Sequence, residues 1–295
     1  MDTTRSQPVV FRNSAIRPGP AGLVTEGLRE AWARRRLIRY LVQADVKKTG
    51  ADTLLGNVWW VFDPLLQMIV YVILVTVIFS RSQPDYPLFV FSAILPWKWF
   101  TSSVNDSISS VVNQERLIKQ LQFPKIVLPL AAIFAAVVHF LFGLIPLVAL
   151  LALFYGHRMS PYVVLVLPIA GVQIVFSIAV ALVLSALNVF VRDVGNISRH
   201  VLRLWFYLSP GLYAMTQLEK SSIAREAPVV IRLLKVNPFA ILFESYRAVI
   251  YGSADTGPFP PDWAALSSLL AVSVVLVVLG VAFFKRLEPQ FAKIL

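Results

Sequence analysis

Cysteine is absent from the 295 residues, which excludes disulfides and thiolate metal sites. Charge is scarce: 15% of residues are Asp, Glu, Lys or Arg, against 57% apolar. Three histidines, His139, His157 and His200, are too far apart along the apolar pattern to form one site. No GxxxxGK[ST] phosphate loop occurs, and neither HExxH nor GxSxG is present. Carboxylates are nearly missing from the centres of the apolar runs, where an ion-coupled carrier usually holds them. Asp63 and Asp106 fall near span ends, where a structural role serves as well. With these absences the chain reads as a pathway without its own energy source: it does not bind nucleotide through a phosphate loop and lacks the central carboxylates that ion-coupled carriers usually hold.

What is there is apolar length. Mean hydropathy is +0.71, and several runs reach the roughly 20 residues that cross a hydrocarbon core. The fold class expected is an all-α polytopic membrane protein with six transmembrane helices. The formal charge of +11 does not point to nucleic acid, because the basic residues flank the runs and act as topology signals. No early apolar core with a small-residue cleavage site stands at the N-terminus, so no signal peptide is expected.

Residues 1–22 are polar and proline-bearing and read as a mobile cytoplasmic tail. Residues 23–56 read as an amphipathic interfacial helix and its connector. Val24, Leu28, Ala31, Trp32, Ile38, Leu41 and Val42 fall near one helical stripe, with Arg29, Arg34, Arg35, Arg36 and Arg39 around it. That pattern suits a helix in the interface plane, its Trp at headgroup depth and its arginines near anionic lipid.

Residues 57–285 form the six-span domain. The spans are read at about Trp59–Phe79, from Leu88 through Asp106, Ile126–Tyr155, Tyr162–Val191, Val201–Met215 and Trp263–Phe284. The second turns polar at Thr101, Ser102, Ser103, Asn105 and Asp106, so that half should face other helices or a water-filled space. The fifth is short and broken at Pro210-Gly211. His139 in the third span either relays a proton or packs with a hydrogen bond, and packing is the commoner role. The segment 216–261 holds two apolar pieces, Ala227–Leu234 and Phe239–Ile250, each too short to cross and suited to re-entrant external helices. Residues 286–295 read as a cytoplasmic tail. Ten basic residues precede the first span and three lie in the loop 111–125, while the loops opposite carry one, one and a dispersed five. Both termini and the loop 111–125 are therefore expected in the cytoplasm of a bacterial inner or plasma membrane protein.

The loop 111–125 is short, charged and helix-like, set between two apolar runs, and it must sit at a membrane surface. The NQERLIKQLQFPKIVLPL stretch, SALNVFVRDV closing span four, SPGLY after span five and NPFAILFESYRAVIYG before span six occur in that order. Together they resemble the permease subunit of ABC-2-type exporters, in the branch that exports lipid-linked polysaccharides such as O-antigens and teichoic acids. The resemblance covers about residues 23–290.

The resemblance implies a homodimer bound to two copies of an ABC nucleotide-binding subunit, which carries the Mg-ATP; no cofactor is expected on this chain. It implies a polyprenyl-pyrophosphate-linked glycan as substrate, membrane lipids around it and no nucleic acid. It assigns ATPase coupling to Asn113, Gln114, Glu115, Arg116, Leu117, Ile118, Lys119 and Leu121, with the helix around Trp32 clamping against them. Arg34, Arg35, Arg36 and Arg39 form the cytoplasmic mouth, guiding pyrophosphate or binding lipid. Arg192 and Asp193 mark the cytoplasmic turn, as gate or as ion pair. A glycan channel would use Trp59, Trp60, Phe62 and Tyr71 of span one and Trp205, Phe206, Tyr207 and Tyr213 around span five, since aromatic faces stack on sugars without fixing one hydrogen-bond pattern. Asn237, Pro238, Glu244 and Arg247 would form the external gate. Two other readings remain open: an ABC-2 exporter of drugs or small lipids, and a membrane enzyme using external Glu219, Glu226, Glu244 and Asp255.

Overall fold

The computed structural model describes residues 19–50, 55–78, 84–219, 228–253 and 256–295, and among them the chain is helical without a strand. The helices are α1 (Pro20–Ala33), α2 (Arg35–Gly50), α3 (Trp59–Val72), α4 (Tyr86–Asn113), α5 (Glu115–Gln120) and α6 (Val127–Leu153). There follow α7 (Val166–Phe190), α8 (Asp193–Leu208), α9 (Met215–Glu219), α10 (Pro228–Val236), α11 (Pro238–Ile250) and α12 (Trp263–Ile294). A π-helical segment, Ile73–Ile78, extends α3, and a 3-10 turn, Pro161–Leu165, leads into α7.

The helix α4 is the axis of the fold. It packs against α3, α6, α7, α8 and α11, and every residue from Leu88 to Trp97 is buried. A helix surrounded by protein has no lipid-facing side to mark with a polar-apolar boundary, so its sequence is apolar nearly all round there. Its polar second half is held by partners: Ser107 Oγ donates to Pro129 O at 3.2 Å and Asn188 Nδ2 to Ile108 O at 3.0 Å. The buried Gln173 donates to Pro96 O at 2.8 Å and fixes α7 against α4.

Among the described residues, four stretches are long and apolar enough to cross a membrane: Trp59–Ile78, Val127–Leu153, Pro161–Phe190 and Trp263–Ile294. The 28 residues of α4 have the length, but polar groups dilute their apolarity; α8, at 16 residues, is shorter.

Several expected boundaries move. The segment 23–56 is two helices: α1 starts at Pro20, inside the stretch read as tail, and breaks at Arg34 before α2. Proline at the first position suits a helix start because its missing N–H has no intrahelical partner there. α1 lies on α12, where a Cβ on Gly27 would meet Val281 Cγ1 at 2.6 Å, and α2 lies along α6. The fifth apolar helix begins at Asp193 and ends at Leu208, so Pro210-Gly211 follows its end and does not break it. The stretch 286–295 continues α12 through Pro289 to Ile294 because Phe284, Glu288 and Phe291 pack inward there. The apolar pieces of 216–261 become α10 and α11, close to the expected ranges. Of the carboxylates considered for an enzyme, Glu226 and Asp255 lie outside the described residues.

Candidate functional site

Residues of three kinds gather at the end of the bundle that carries both the α4–α6 connection and the end of α12. Within α5, Ile118 is 4% exposed and packs in a cluster with Val111, Ile126, Leu128, Phe284 and Phe291. Leu117 and Glu115 are half-buried, whereas Asn113, Gln114, Arg116 and Lys119 are exposed and Leu121 is 56% exposed. The expected coupling set therefore divides into an inward anchor and an outward face. Glu115 bonds Lys119 at 2.6 Å; that bond, with Arg192 and Arg116 nearby, holds its carboxyl below the usual range. No ion pair joins Arg192 to Asp193 among the described residues; both are exposed.

The tie between α5 and the rest runs through residues that pattern reading missed. Lys285 Nζ stands 2.7 Å from Glu30 Oε2, 2.7 Å from Glu288 Oε2 and 3.6 Å from Glu26 Oε1. Glu288 Oε1 in turn accepts the Lys125 backbone N–H at 2.5 Å. Lys119 Nζ donates to Leu295 O at 2.6 Å. One charged chain thus links α1, α12 and the end of the 111–125 loop. A groove of about 1360 Å³ opens between α1, this loop and α12. Trp32 is 72% exposed, with the Arg35 guanidinium 5.3 Å above its ring. Arg34, Arg36 and Arg39 are exposed as well.

A second feature is a cleft of about 420 Å³ between α3, α4 and α8. Gln67 and Tyr71 come from α3, Trp97, Thr101 and Asn105 from α4, and Arg199, Leu202, Arg203, Phe206 and Tyr207 from α8. Of the expected channel aromatics, Tyr71, Phe206 and Tyr207 meet here, with Tyr71 and Phe206 ring centres 5.7 Å apart. Trp59 and Phe62 are exposed on α3. Trp60 turns to α6 instead, its ring 3.9 Å from that of His139. Trp205 belongs to a packed aromatic group with Trp97, Phe100, Phe176 and Phe239.

A pocket of about 310 Å³ beside Trp60 and His139 also takes in Asp45, Asp63, Lys98 and Asp106. Lys98 pairs with Asp63, and Asp106 accepts from Ser102 Oγ at 2.9 Å.

At the opposite end, the chain after α8 is clamped to α11. Trp205 Nε1 donates to Asn237 Oδ1 at 3.0 Å, and Asn237 Nδ2 donates to Ser209 Oγ at 2.8 Å. Asn237 also caps α11 through Phe239 N at 3.0 Å, with Pro238 at its first position. Arg247 is 3% exposed, donates to Gly211 O and, at 3.1 Å, to Tyr213 O, and sits 3.9 Å from the Phe89 ring centre. Its carboxylate partner Glu244 is exposed, at 3.3 Å. Arg158, also missed by pattern reading, bonds Asp85 at 2.8 Å and Ser253 O and lies 4.9 Å over the Tyr251 ring. The signal for Arg158 was faint: a lone cation in a short turn between two apolar runs looks like an ordinary loop residue.

A profile of the family described as ABC-2 type transporter matches residues 36–251. A relative from Myxococcus xanthus, named O-antigen export system permease protein RfbA, is 34% identical over 266 residues, covering 90% of this chain and 98% of its own length. Two Klebsiella pneumoniae proteins of the same name are each 28% identical over 261 residues, covering 88% of this chain and 95% of theirs.

Proposed function

The chain belongs to the ABC-2 type transporter family, and we propose that it is the permease subunit of an ATP-driven exporter of lipid-linked polysaccharide. The observation that carries this is likeness along nearly the whole chain to permeases named for O-antigen export. The substrate is a glycan on a polyprenyl pyrophosphate made at the cytoplasmic face of a bacterial inner membrane. ATP hydrolysis falls to a separate nucleotide-binding subunit, two copies serving two copies of this chain; the absence of a phosphate loop here supports that division.

In this reading α3, α4, α6, α7, α8 and α12 are the six spans, with both termini cytoplasmic. α4 crosses despite its polar half because protein surrounds it, and helices α10 and α11 enter from outside without crossing. A second copy covers the apolar stripe of Leu66, Ile69 and Val70 on α3 and Ile73 on its π-helical extension, together with Val201, Leu204 and Leu208 on α8, all exposed in the single chain.

The ATPase engages the outward face of α5, at Asn113, Gln114, Arg116 and Leu121. Closure of the ATPase moves α5, and the motion passes inward through Ile118 and through Lys125, Glu288, Lys285 and Glu30 to α12 and α1. The substrate enters beside the arginines of α1 and α2, moves along the α3–α8 face and leaves past the Asn237–Arg247 assembly. Bilayer-spanning charge is confined to protein-lined cavities, as the cost of a lipid-facing ion requires.

The test is depletion of this protein in its host, followed by extraction of lipid-linked glycan from each side of the membrane. The expected result is polymer accumulating on the cytoplasmic side with surface glycan lost. Normal surface glycan after depletion would remove the polysaccharide assignment.

A further inference from the structure

We propose that the cleft between α3, α4 and α8 is an anion station that takes the pyrophosphate head of the lipid-linked substrate, with Arg203 and Arg199 supplying its charge. This rests on the exporter reading and adds to it the residues that recognise the carrier's head.

The argument begins with partners. Lys98 has Asp63, Arg158 has Asp85, Arg247 has Glu244 and Lys285 has three glutamates, whereas Arg199 and Arg203 stand exposed along the cleft in the single chain. The cleft is different. No carboxylate lines it, and its polar groups other than the two arginines are neutral. Arg199 is occupied only by its own helix, through Gly195 O at 3.3 Å and Asn196 Oδ1. Arg203 forms no ion pair with a described residue. A cation on a membrane-embedded helix is costly unless a cavity or a counter-charge receives it. Here the cavity is present and the protein supplies no counter-charge, so the ligand does.

Geometry narrows the ligand. Residues four apart on a helix lie on one face with Cβ atoms about 5–6 Å apart. Arg199 and Arg203 therefore present two planar forks in a row, suited to two linked phosphates. Gln67 and Asn105 offer amides beside them; the Asn105 side-chain oxygen, an acceptor buried without a partner among the described residues, suits a sugar hydroxyl and not the phosphates. The remaining wall is aromatic, from Tyr71, Trp97, Phe206 and Tyr207, a surface on which a sugar attached to the pyrophosphate stacks. A phospholipid head shares the phosphate chemistry but has one phosphate and no ring to place against that wall.

The experiment uses the full permease–ATPase complex in lipid nanodiscs, titrated with polyprenyl pyrophosphate and, in competition, with phosphatidylglycerol or inorganic pyrophosphate. Arg203→Gln is expected to weaken polyprenyl pyrophosphate binding about tenfold or more, the loss of one charge-assisted contact. Arg203→Lys should recover part of it, and Arg232→Gln on the distant α10 should bind as wild type. Thermal midpoint and basal ATP hydrolysis, read on the same samples, separate this from misfolding. Wild type and Arg203→Gln binding alike would overturn the station and leave the exporter reading standing. Absence of binding in wild type would overturn both. Equal displacement by phosphatidylglycerol would overturn the station as a substrate site and make the cleft a general lipid-head site.

Discussion

The Lys285 ammonium stands 2.7 Å from the Glu30 carboxylate, two residues 255 positions apart in the chain. That pair, together with the close approach of Gly27 to Val281, joins the first described helix to the last. Lys285 is 8% exposed and its other close partner, Glu288, is equally enclosed, so the group lies where an unpaired ion is expensive.

Lys285→Met is expected to destabilise the protein by about 3–5 kcal/mol, because it leaves Glu288 buried and unpaired. Glu30→Gln, at the half-exposed rim, should cost well under half as much. Thermal unfolding in detergent compares the two, and equal small effects would show that the hub carries little.

Ile118 and Leu121 separate folding from coupling. Ile118→Asp places a charge in an apolar cluster and is expected to cost about 3 kcal/mol or more, lowering the amount of folded protein. Arg116→Glu with Leu121→Asp changes only exposed positions, so folding should persist while export and ATPase association fall. Co-purification with the ATPase reads the second effect, and retained association would move the docking face elsewhere.

Asp85 gives a pH dependence with a definite sign. Burial alone would raise its carboxyl, but His157 and Arg158 bond it and hold it below the usual range. A carboxyl lowered on folding adds stability that is fully present above the unfolded value near pH 4 and is lost as pH falls through the folded one. Thermal midpoints should therefore drop on acidification from about pH 5 downward, and drop less in Asp85→Asn. Asparagine is the right replacement because Asp85 has φ +53°, a left-handed conformation that Asn tolerates. Parallel pH curves for the two proteins would dismiss this pair as a contributor.

Asn237 joins three groups at once. Asn237→Ala removes the α11 cap and strands the Trp205 N–H, with an expected loss of about 2–3 kcal/mol. Asn237→Asp keeps both acceptor roles and loses only the donation to Ser209, so its loss should be about half. Denaturant or thermal unfolding ranks the two, and the reverse order would mean that the Ser209 contact dominates.

The class and the order of elements were legible in the sequence. Hydropathy is a local property, so α3, α6, α7 and α12 stood out as apolar runs, and the short pieces before α12 fell within a few residues of α10 and α11. The polarity of α4 also announced that it would not face lipid, and Ser103 and Ser107 are fully buried. Boundaries were less legible where packing overrides composition. α12 runs ten residues beyond Phe284 because Phe291 and Glu288 find partners there, and α8 begins at Asp193, before its apolar stretch.

Which side chains meet was decided by the tertiary structure alone. Tyr71 and Tyr207 share a cleft with Arg199 and Arg203, while Trp60, equally aromatic and on the same helix as Tyr71, turns away onto His139. Eleven positions are close to three turns of about 3.6 residues, so the two rings share one side of the helix but stand roughly 16 Å apart along it, and which neighbour each meets is settled by packing at its own height. Likewise Lys285 and Arg158 read as surface cations in a line of letters, and the burial of Arg247, expected at a gate, was not legible there either. Their burial depends on carboxylates and carbonyls from distant segments, and only the packing of those segments makes a buried charge tolerable.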